Sequence, residues 1–446
     1  MMDTGTGVEM SNSLERSDHT AFVEGSFLYV WGGCKSVSGT ETLLPSDEIW
    51  LCDLDSGIWE RRGMEGEIPP ALSGACGSYH NGTLYVFGGC DPNGHTNQLY
   101  SVDLLEGCYT WRKVTDAGGN TPSPRDKQSC WVNRDRLIYF GGYGCKTIRE
   151  VNNSRNFTVH ESSWAMIGTT FFRFWGWNSE VNVFDTHTAT WEEPETHGQT
   201  PSPRASHTSA TLGDKGYICG GLEDTDLDIH CLDLDTWIWT RIDFLSSLVP
   251  VGRSMHTLTP VSDHTLFLFG GLSITGDSLS DGWEFDTQTN SWREMDHLHH
   301  DKPRLWHSAC RGKDNDVVVF GGSRDYVLLM DSKSTNESTW GVGVELGTAG
   351  PGLTSTSPEE QRRSRIRVTV LRSPSQNHCK DVLVFQTQPY PLLRLCKDCI
   401  GYNADVLQEQ LLWLPPKLQE TVDKSVSFFR IGPNQENKKR LDLVLD

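Results

Sequence analysis

The chain has 446 residues, of which 36% are hydrophobic and 22% are charged, so it can build a full hydrophobic core. Two or three average domains would use that length, although large all-β folds use it as one. The 39 basic and 59 acidic residues give a formal charge of −20, which argues against nucleic acid or anionic membranes as partners.

The N-terminal residues 1–15 lack the basic and then apolar layout of a secretion signal, and we expect them to form a disordered tail. Most of the 13 Cys stand beside strand-like runs, which indicates buried free thiols in a reducing compartment. Together these features predict a cytosolic protein.

Short apolar runs that end in Gly-Gly recur six times along the chain. They read FLYVWGG, LYVFGG, LIYFGG, KGYICGG, LFLFGG and VVVFGG, and their last glycines are Gly33, Gly89, Gly142, Gly221, Gly271 and Gly322. Most steps are close to the period of about 50 residues that is typical of kelch repeats. This repeat predicts an all-β fold, a six-bladed kelch β-propeller over residues 16–390.

Two further elements recur with each glycine pair. A strand that ends in Asp is followed by a Trp, at Trp59, Trp111, Trp191, Trp239 and Trp292. An Arg-x-x-His element precedes the pair in four repeats, at His19, His207, His256 and His307, and Gln128 replaces the His in the third. We expect the Trp to fill the space between blades, and both elements to serve mainly as scaffold.

Two blades carry extra sequence. Residues 144–177 form a long excursion in blade three, and long propeller loops commonly build ligand surfaces. Residues 333–376, rich in Ser, Thr, Gly and Pro, are predicted to be a flexible insert in blade six. The blade is expected to resume at CKDVLVFQTQ.

After the last strand the apolar period changes to that of a helix, and we predict a helical segment over residues 391–425 and a C-terminal tail over 426–446. Leu392, Cys396 and Ile400 recur every four residues. Cys396-x-x-Cys399 lacks the further ligands of a zinc site, and a redox pair would be expected in a thioredoxin-like fold. PLLRL could instead be the last strand of blade six.

The segment PLLRLCKDCI resembles the elongin-binding box of cullin-based ubiquitin ligase receptors. In that box a small residue, a Leu, a Cys and an aliphatic residue form one helix face that enters a groove on elongin C. The following LPPKL, with Leu414, Pro415 and Leu418, resembles a cullin-selecting box.

With RLIYFGGYGC, FWGWN, SDGWEFD and KPRLWHSAC, the chain resembles the kelch domain-containing substrate receptors of cullin-RING ubiquitin ligases. This resemblance implies a non-catalytic receptor. Its propeller would bind the C-terminus of a client protein, often one ending in glycine, and its tail would recruit elongin B/C and cullin five, or cullin two.

Carried over residue by residue, the resemblance implies a degron-binding site of Lys127, Tyr143, Trp177, Arg253 and Ser254. The family has an Arg after the fourth Gly-Gly pair and a second Arg a few residues on. Here that loop is acidic, at residues 222–226, and Met255 stands where the family has Trp. An acidic loop would oppose a client carboxylate.

Two other classes of function stay open. One is a kelch-propeller interaction scaffold without a ligase role, in which the tail only packs on the propeller. The other is a propeller enzyme, which would need metal ligands clustered at the mouth, whereas the repeated His residues lie in the structural element. We expect no cofactor and no metal.

Overall fold

The structure is a computed structural model. It describes residues 13–37, 40–105, 107–167, 171–221, 227–244, 248–325, 378–388, 390, 392–405, 407, 411 and 414–431. The insert predicted at 333–376 and the tail beyond residue 431 lie outside the described residues.

The first three repeats fold into three blades of four antiparallel strands. Blade one contains β1 (Thr20–Glu24), β2 (Phe27–Trp31), β5 (Glu48–Asp53) and β6 (Trp59–Gly66), with the hairpin β3 (Cys34–Val37) and β4 (Thr40–Leu43). Blade two contains β7 (Cys76–His80), β8 (Thr83–Phe87), β11 (Leu99–Asp103) and β12 (Tyr109–Lys113), with the short strands β9 (Cys90–Asp91) and β10 (Gly94–His95). Blade three contains β15 (Ser129–Asn133), β16 (Arg136–Phe140), β20 (Val181–Asp185) and β21 (Thr190–Glu192), and β13 (Gly118–Gly119) extends it beside β21.

The next two repeats follow the same order. Blade four contains β23 (Thr208–Leu212), β24 (Lys215–Cys219), β25 (Ile229–Asp233) and β26 (Ile238–Arg241), extended by β22 (His197–Gly198). Blade five contains β28 (Thr257–Pro260), β29 (Thr265–Ser273), β30 (Ser278–Asp286) and β31 (Ser291–Met295), and β27 (Arg253–Ser254) pairs with β29.

Blade six has three strands among the described residues, β32 (Ser308–Arg311), β33 (Val317–Phe320) and β34 (Val382–Phe385). The strand β34 lies within CKDVLVFQTQ, so the blade resumes where the sequence predicts. A loop from blade five lies beside this strand, where the His299 ring Nε2 is 3.2 Å from the Val384 carbonyl oxygen. The His297 ring packs on Phe385.

The predicted six-bladed ring is confirmed. The first strands of successive blades contact each other in a closed cycle, since β32 of blade six also contacts β1 of blade one. Each pair of neighbouring blades shares one hydrophobic cluster. A blade buries one face only against the next blade, which is why a single repeat cannot fold alone.

The outer-strand tryptophans fill the space between blades, as the sequence predicts. The Trp191 ring of blade three packs 5.1 Å from Phe87 of blade two, measured between ring centroids. The Trp239 ring lies 5.2 Å from Phe140 in the same way, one blade further on. Both indoles are at most 4% exposed, so each supplies a large part of one inter-blade core.

The excursion of blade three is not a loop. It forms a second sheet of β14 (Arg125–Asp126), β17 (Tyr143–Thr147), β19 (Phe171–Asn178) and β18 (Phe157–Ile167). The short helix α1 (Ile148–Asn153) connects β17 to β18 and begins with a capping box in which Thr147 and Glu150 bond reciprocally. Most aromatic residues of this stretch therefore lie in the strands of a second sheet, in which β18 and β19 pair antiparallel.

The tail is helical, which excludes one alternative for PLLRL and moves one predicted boundary. PLLRL is not a strand of blade six, because the helix α2 runs from Leu392 to Tyr402. The helix α3 runs from Pro416 to Ile431 and so extends past the predicted boundary at 425. Pro416 suits a first helical position, where its missing N–H would have no helical partner anyway.

Candidate functional site

Six backbone hydrogen bonds close a ring around the propeller axis. The ring residues are the ones that precede the His position of each repeat, namely Asp18, Gly74, Lys127, Ser206, Met255 and Trp306. Each donates its N–H to the carbonyl of the ring residue one blade earlier, at 2.9 to 3.2 Å, and Asp18 completes the cycle by donating to Trp306. All six have a positive φ, between 52° and 64°.

This left-handed conformation is costly for residues with a side chain. Five of the six ring residues are not glycine and nevertheless adopt it. In this conformation the N–H and the carbonyl of each ring residue point along the ring. The side chains of the ring residues therefore surround the axis. They line a recess of about 190 Å³ together with the residues at the His positions. That is smaller than a typical small-molecule pocket of about 300–1,000 Å³, and it suits a narrow chain end.

The histidines of the recess are neutral in the folded protein. Burial, with a neighbouring Arg, lowers the pKa of His207 to about 3 and that of His307 to about 3. Burial also holds the pKa of His19 and of His256 well below the usual range. Among the residues that line the recess, the ammonium group of Lys127 therefore supplies the positive charge.

Lys127 reaches across the axis. Its Nζ lies 5.9 Å from the ring centroid of Trp306, although the two residues belong to blades three and six on opposite sides of the ring. An ammonium over an indole face is a favourable but weak contact when water can reach it. The cation is thus presented to the recess rather than buried in an ion pair.

Two other predicted site residues, Tyr143 and Trp177, lie in strands that are linked to the one beside Lys127. Tyr143 pairs in register with Asp126, the neighbour of Lys127, and with Trp177 on its other side. The two rings meet edge to face at 5.4 Å between centroids, and His160 packs against both. The structure thus brings Lys127, Tyr143 and Trp177 to one end of blade three.

Arg253 and Ser254 do not join them. The Arg253 guanidinium is 1% exposed, binds both carboxylate oxygens of Asp281 at 2.7 Å and donates to two backbone carbonyls. Ser254 is buried in the short strand β27. Neither lines the recess, so the structure places Arg253 in the scaffold, where a buried guanidinium needs its carboxylate.

The same arrangement recurs in other blades, which explains the repeated Arg. Arg204 binds Asp228 through two hydrogen bonds of 2.8 and 2.9 Å, and Arg304 binds Asp381 at 2.9 Å. In blade three Arg125 donates to Glu180 at 2.6 Å. In blades three to six the Arg of the element thus holds the start of its blade through a carboxylate.

Sequence reasoning did not find Asp18, Ser206 and Trp306 as recess residues. A signal was present, because all of them stand directly before the His position of the repeat. The acidic loop at 222–226, which the sequence places near the mouth, lies outside the described residues.

The tail helices pack on each other at the opposite end of the propeller. Val422 of α3 is 4% exposed, and so is Ala404, which follows α2. Cys396 is exposed, Cys399 is half-buried, and Ile400 and Leu414 are half-buried. Pro415 is exposed, and Leu418 is 45% exposed.

Position on the helix separates two faces of α2. Arg394 and Lys397 form ion pairs with propeller turns. A helix rotates by about 100° per residue, so Cys396 lies roughly opposite Arg394. Leu392, Cys396 and Ile400 follow one another at intervals of one turn, so the helix carries these positions on the face away from the propeller.

Within the described residues, no group of His, Cys, Asp and Glu side chains could hold a metal ion. No helix in that part of the chain is long and apolar enough to cross a membrane.

Comparison with known proteins places the fold and the tail in one family. The model described as the KLHDC2/KLHL20/DRC7 Kelch-repeats domain matches residues 18–271 and 176–341. Kelch domain-containing protein 1 of Homo sapiens is 45% identical over 430 residues, which are 95% of this chain and 93% of that protein. The Mus musculus protein of the same name is 46% identical over 432 residues, 96% of this chain and 94% of that protein.

Kelch domain-containing protein 2 of Bos taurus is 40% identical over 439 residues, 96% of this chain and 93% of that protein. The solved structure of YjhT covers 70% of this chain and 91% of its own, with a TM-score of 0.51 and 15% identity, and it bears on the fold alone. The kelch repeats and the relatives support a protein-interaction role for the propeller. The chain belongs to the kelch-repeat family that includes Kelch domain-containing proteins 1 and 2.

Proposed function

We propose that this protein is the substrate-recognition subunit of a cullin-RING ubiquitin ligase. The propeller binds the C-terminus of a client protein, and the tail recruits elongin B/C and cullin five, or cullin two. The protein itself performs no catalysis, acts in the cytosol, and leaves the ubiquitin chemistry to its partners.

The observation that carries this proposal is the exposed position of Cys396 on α2, on the side away from the ion-paired Arg394 and Lys397. A helix that only packed on the propeller would bury its apolar positions and expose its charged ones. Here Arg394 and Lys397 face the propeller, and Cys396 is exposed on the other side. Helix-in-groove docking uses anchors spaced by one turn, which is the spacing of Leu392, Cys396 and Ile400.

The segment after α2 supports the same proposal. Leu414 donates its N–H to the Leu411 carbonyl at 3.2 Å, and Leu418 donates to Pro415 at 2.9 Å. The two prolines thus end one helical turn and begin α3. Pro415 and Leu418 are both exposed there, as a cullin-selecting box requires.

The recess supports client binding by a chain end. A terminal carboxylate needs a cation or other donors, and charge-assisted hydrogen bonds are the strong ones. Lys127 presents that cation, and the other ring side chains of the recess are the acidic Asp18 and the uncharged Ser206, Met255 and Trp306. A small last residue such as glycine fits a recess of about 190 Å³.

The test is co-purification of the full chain with elongin B/C and cullin five. We expect the wild type to recover both, and the Leu392→Ala/Cys396→Ala double variant to lose them. The matched control is Cys399→Ala, which alters a half-buried Cys on the same helix and should keep both partners. Absence of elongin with a folded wild type would end the ligase proposal and leave the kelch scaffold without a ligase role.

A further inference from the structure

The tail meets the propeller through an acidic surface on two neighbouring turns. One turn follows β5 in blade one and carries Asp53 and Asp55. The other joins β32 to β33 in blade six and carries Asp314 and Asp316. We call these four carboxylates the acidic cradle. Basic residues of the tail occupy it.

Arg394 of α2 is the centre of this contact. Its Nη1 is 3.0 Å from the Asp316 Oδ2 and also binds Asp314. The guanidinium carbon lies 3.9 Å from the ring centroid of Tyr390. The side chain of Arg394 is 22% exposed and that of Asp316 is 5% exposed, so water screens this pair less than an ordinary surface pair.

Arg394 also supplies the positive charge that compensates the buried carboxylate of Asp316. A carboxylate that is removed from water is unfavourable unless a positive charge or several hydrogen bonds compensate for it. Asp316 is 4% exposed as a residue, and the guanidinium of Arg394 reaches it from the tail. The propeller thus holds an acidic group whose partner comes from outside the blades.

Two lysines extend the contact along the tail. Lys397, one turn after Arg394, places its Nζ 3.5 Å from the Asp55 Oδ1. Lys424 of α3 places its Nζ 3.7 Å from the Asp53 Oδ2. Both tail helices therefore contact the same cradle, and α3 reaches blade one through Lys424.

The cradle is at the end of the strands opposite the recess. Asp53 ends β5 and pairs with Phe27, the first residue of β2. From there β2 runs to the glycine pair beside the ring. Five residues of strand span about 17 Å, so the strand length separates the two surfaces.

We propose that Arg394 is a positioning residue that locks the tail to the propeller in one orientation. The lock sets the direction in which the exposed face of α2 presents its partner relative to a client held in the recess. The lock itself is independent of what the tail binds. Its effect on a client rests on the proposed ligase function.

The lock is measured first, on the full chain without partners. Cys108 in blade two and Cys396 in the tail are the two exposed cysteines, so a brief reaction with a spin label marks one site on each part. Pulsed electron–electron double resonance should give one narrow distance distribution for the wild type. Arg394→Met removes the charge and keeps most of the aliphatic stem, and it should broaden the distribution several-fold.

Two controls separate the lock from general damage. Arg61→Met removes the charge of an exposed pair with Glu48 and should leave the distribution narrow. Arg394→Asp combined with Asp314→Arg reverses one pair and should restore a narrow distribution, whereas Arg394→Asp alone should not. A narrow distribution in Arg394→Met would overturn the lock.

The second measurement addresses the client. With elongin B/C, cullin five and ubiquitin-transfer enzymes, Arg394→Met should recover elongin like the wild type. It should ubiquitinate a client more slowly, by about threefold or more, and on a wider set of lysines. Unchanged rate and lysine choice would overturn the positioning role. If the wild type recovers no elongin, the ligase function fails, and the distance distributions still decide whether the lock exists.

Discussion

Basic side chains with similar sequence surroundings have opposite roles in this propeller. Arg253 and Lys127 both belong to the repeated Arg-x-x-His element, but to different positions in it. The Arg position points into the blade, where Asp281 neutralises it. The position before His has a φ of 55° at Lys127, and this conformation directs the side chain into the recess. Position in the element, not charge, decides which cation faces the recess.

Lys127→Met should weaken binding of a client C-terminal peptide by about 10-fold or more, because a hydrogen bond to a charged group contributes about 1.5–3 kcal/mol. Titration calorimetry with a glycine-ending peptide measures this effect. The same peptide with a C-terminal amide should bind both proteins equally weakly, since it lacks the carboxylate.

Lys215→Met, at an exposed position of blade four, is the control for the loss of one positive charge. Equal losses in the two variants would show that Lys127 acts only through net charge.

The repeated residues could be predicted from the sequence, but their surroundings could not. The spacing of Gly-Gly and Trp fixes the strands, since both follow from turns and from filling between blades. Which residue of each element faces the axis depends on a backbone conformation that Asp, Lys, Ser, Met and Trp rarely adopt. No local preference of these residues indicates it, so the sequence does not show that Trp306 lines the recess or that Arg253 is buried against Asp281.

At the scale of one element, each glycine pair allows two blades to approach closely. Gly141 has a φ of 70°, and a Cβ there would lie 2.8 Å from the Arg204 carbonyl oxygen and from the His207 Cε1. Both atoms belong to the next blade. The pair is therefore an inter-blade contact as well as the end of a strand, which accounts for its recurrence in all six repeats.

Gly141→Ala should destabilise the protein more than Gly25→Ala. Gly25 has a φ of 60°, and a Cβ added there would meet no atom within 4 Å, so its substitution costs only the backbone strain of about 1–2 kcal/mol. Gly141→Ala adds a clash with the next blade, and overpacking of this kind costs about 1–3 kcal/mol more. Thermal unfolding midpoints of the two variants compare these costs; equal shifts would contradict the inter-blade role.

Elements with irregular patterns were the least predictable. The excursion of blade three is folded as β18 and β19, whose aromatic residues are not confined to alternate positions. A period of two marks a strand with one buried face, so this hairpin resembled a loop in the sequence.

For the whole molecule, the contact between blades six and one closes the ring. The His19 ring Nε2 of blade one is 2.8 Å from the Ser308 hydroxyl of blade six. The His207 ring makes the same bond to Ser129 of the blade before it. Burial keeps both rings neutral because it lowers the pKa of His19 and of His207, and this couples the stability of the closed ring to pH.

Stability should fall as the pH falls from 7 to 5. The folded-state pKa is about 3 for His207 and His307, below the usual value of about 6.5. Between these values the unfolded chain binds more protons, so stability rises with pH. The loss by pH 5 is on the order of 2 kcal/mol for each ring, and urea unfolding midpoints at the two pH values measure it.

His207→Gln is the matched variant for this prediction. Gln128 already occupies the His position of blade three and donates to the Phe87 carbonyl at 2.9 Å. The variant cannot be protonated, so its unfolding midpoint should change less between pH 7 and pH 5. The same pH dependence in both proteins would place the acid sensitivity elsewhere.

The closed ring of backbone hydrogen bonds has a consequence for how such proteins diverge. Its six N–H groups already donate to neighbouring ring carbonyls, so these positions offer an incoming chain end no main-chain donor. Recognition at these positions therefore depends on side chains. Asp, Gly, Lys, Ser, Met and Trp occupy the ring in chain order, so substitutions at these positions would change the chemistry of the recess while the backbone ring stays the same.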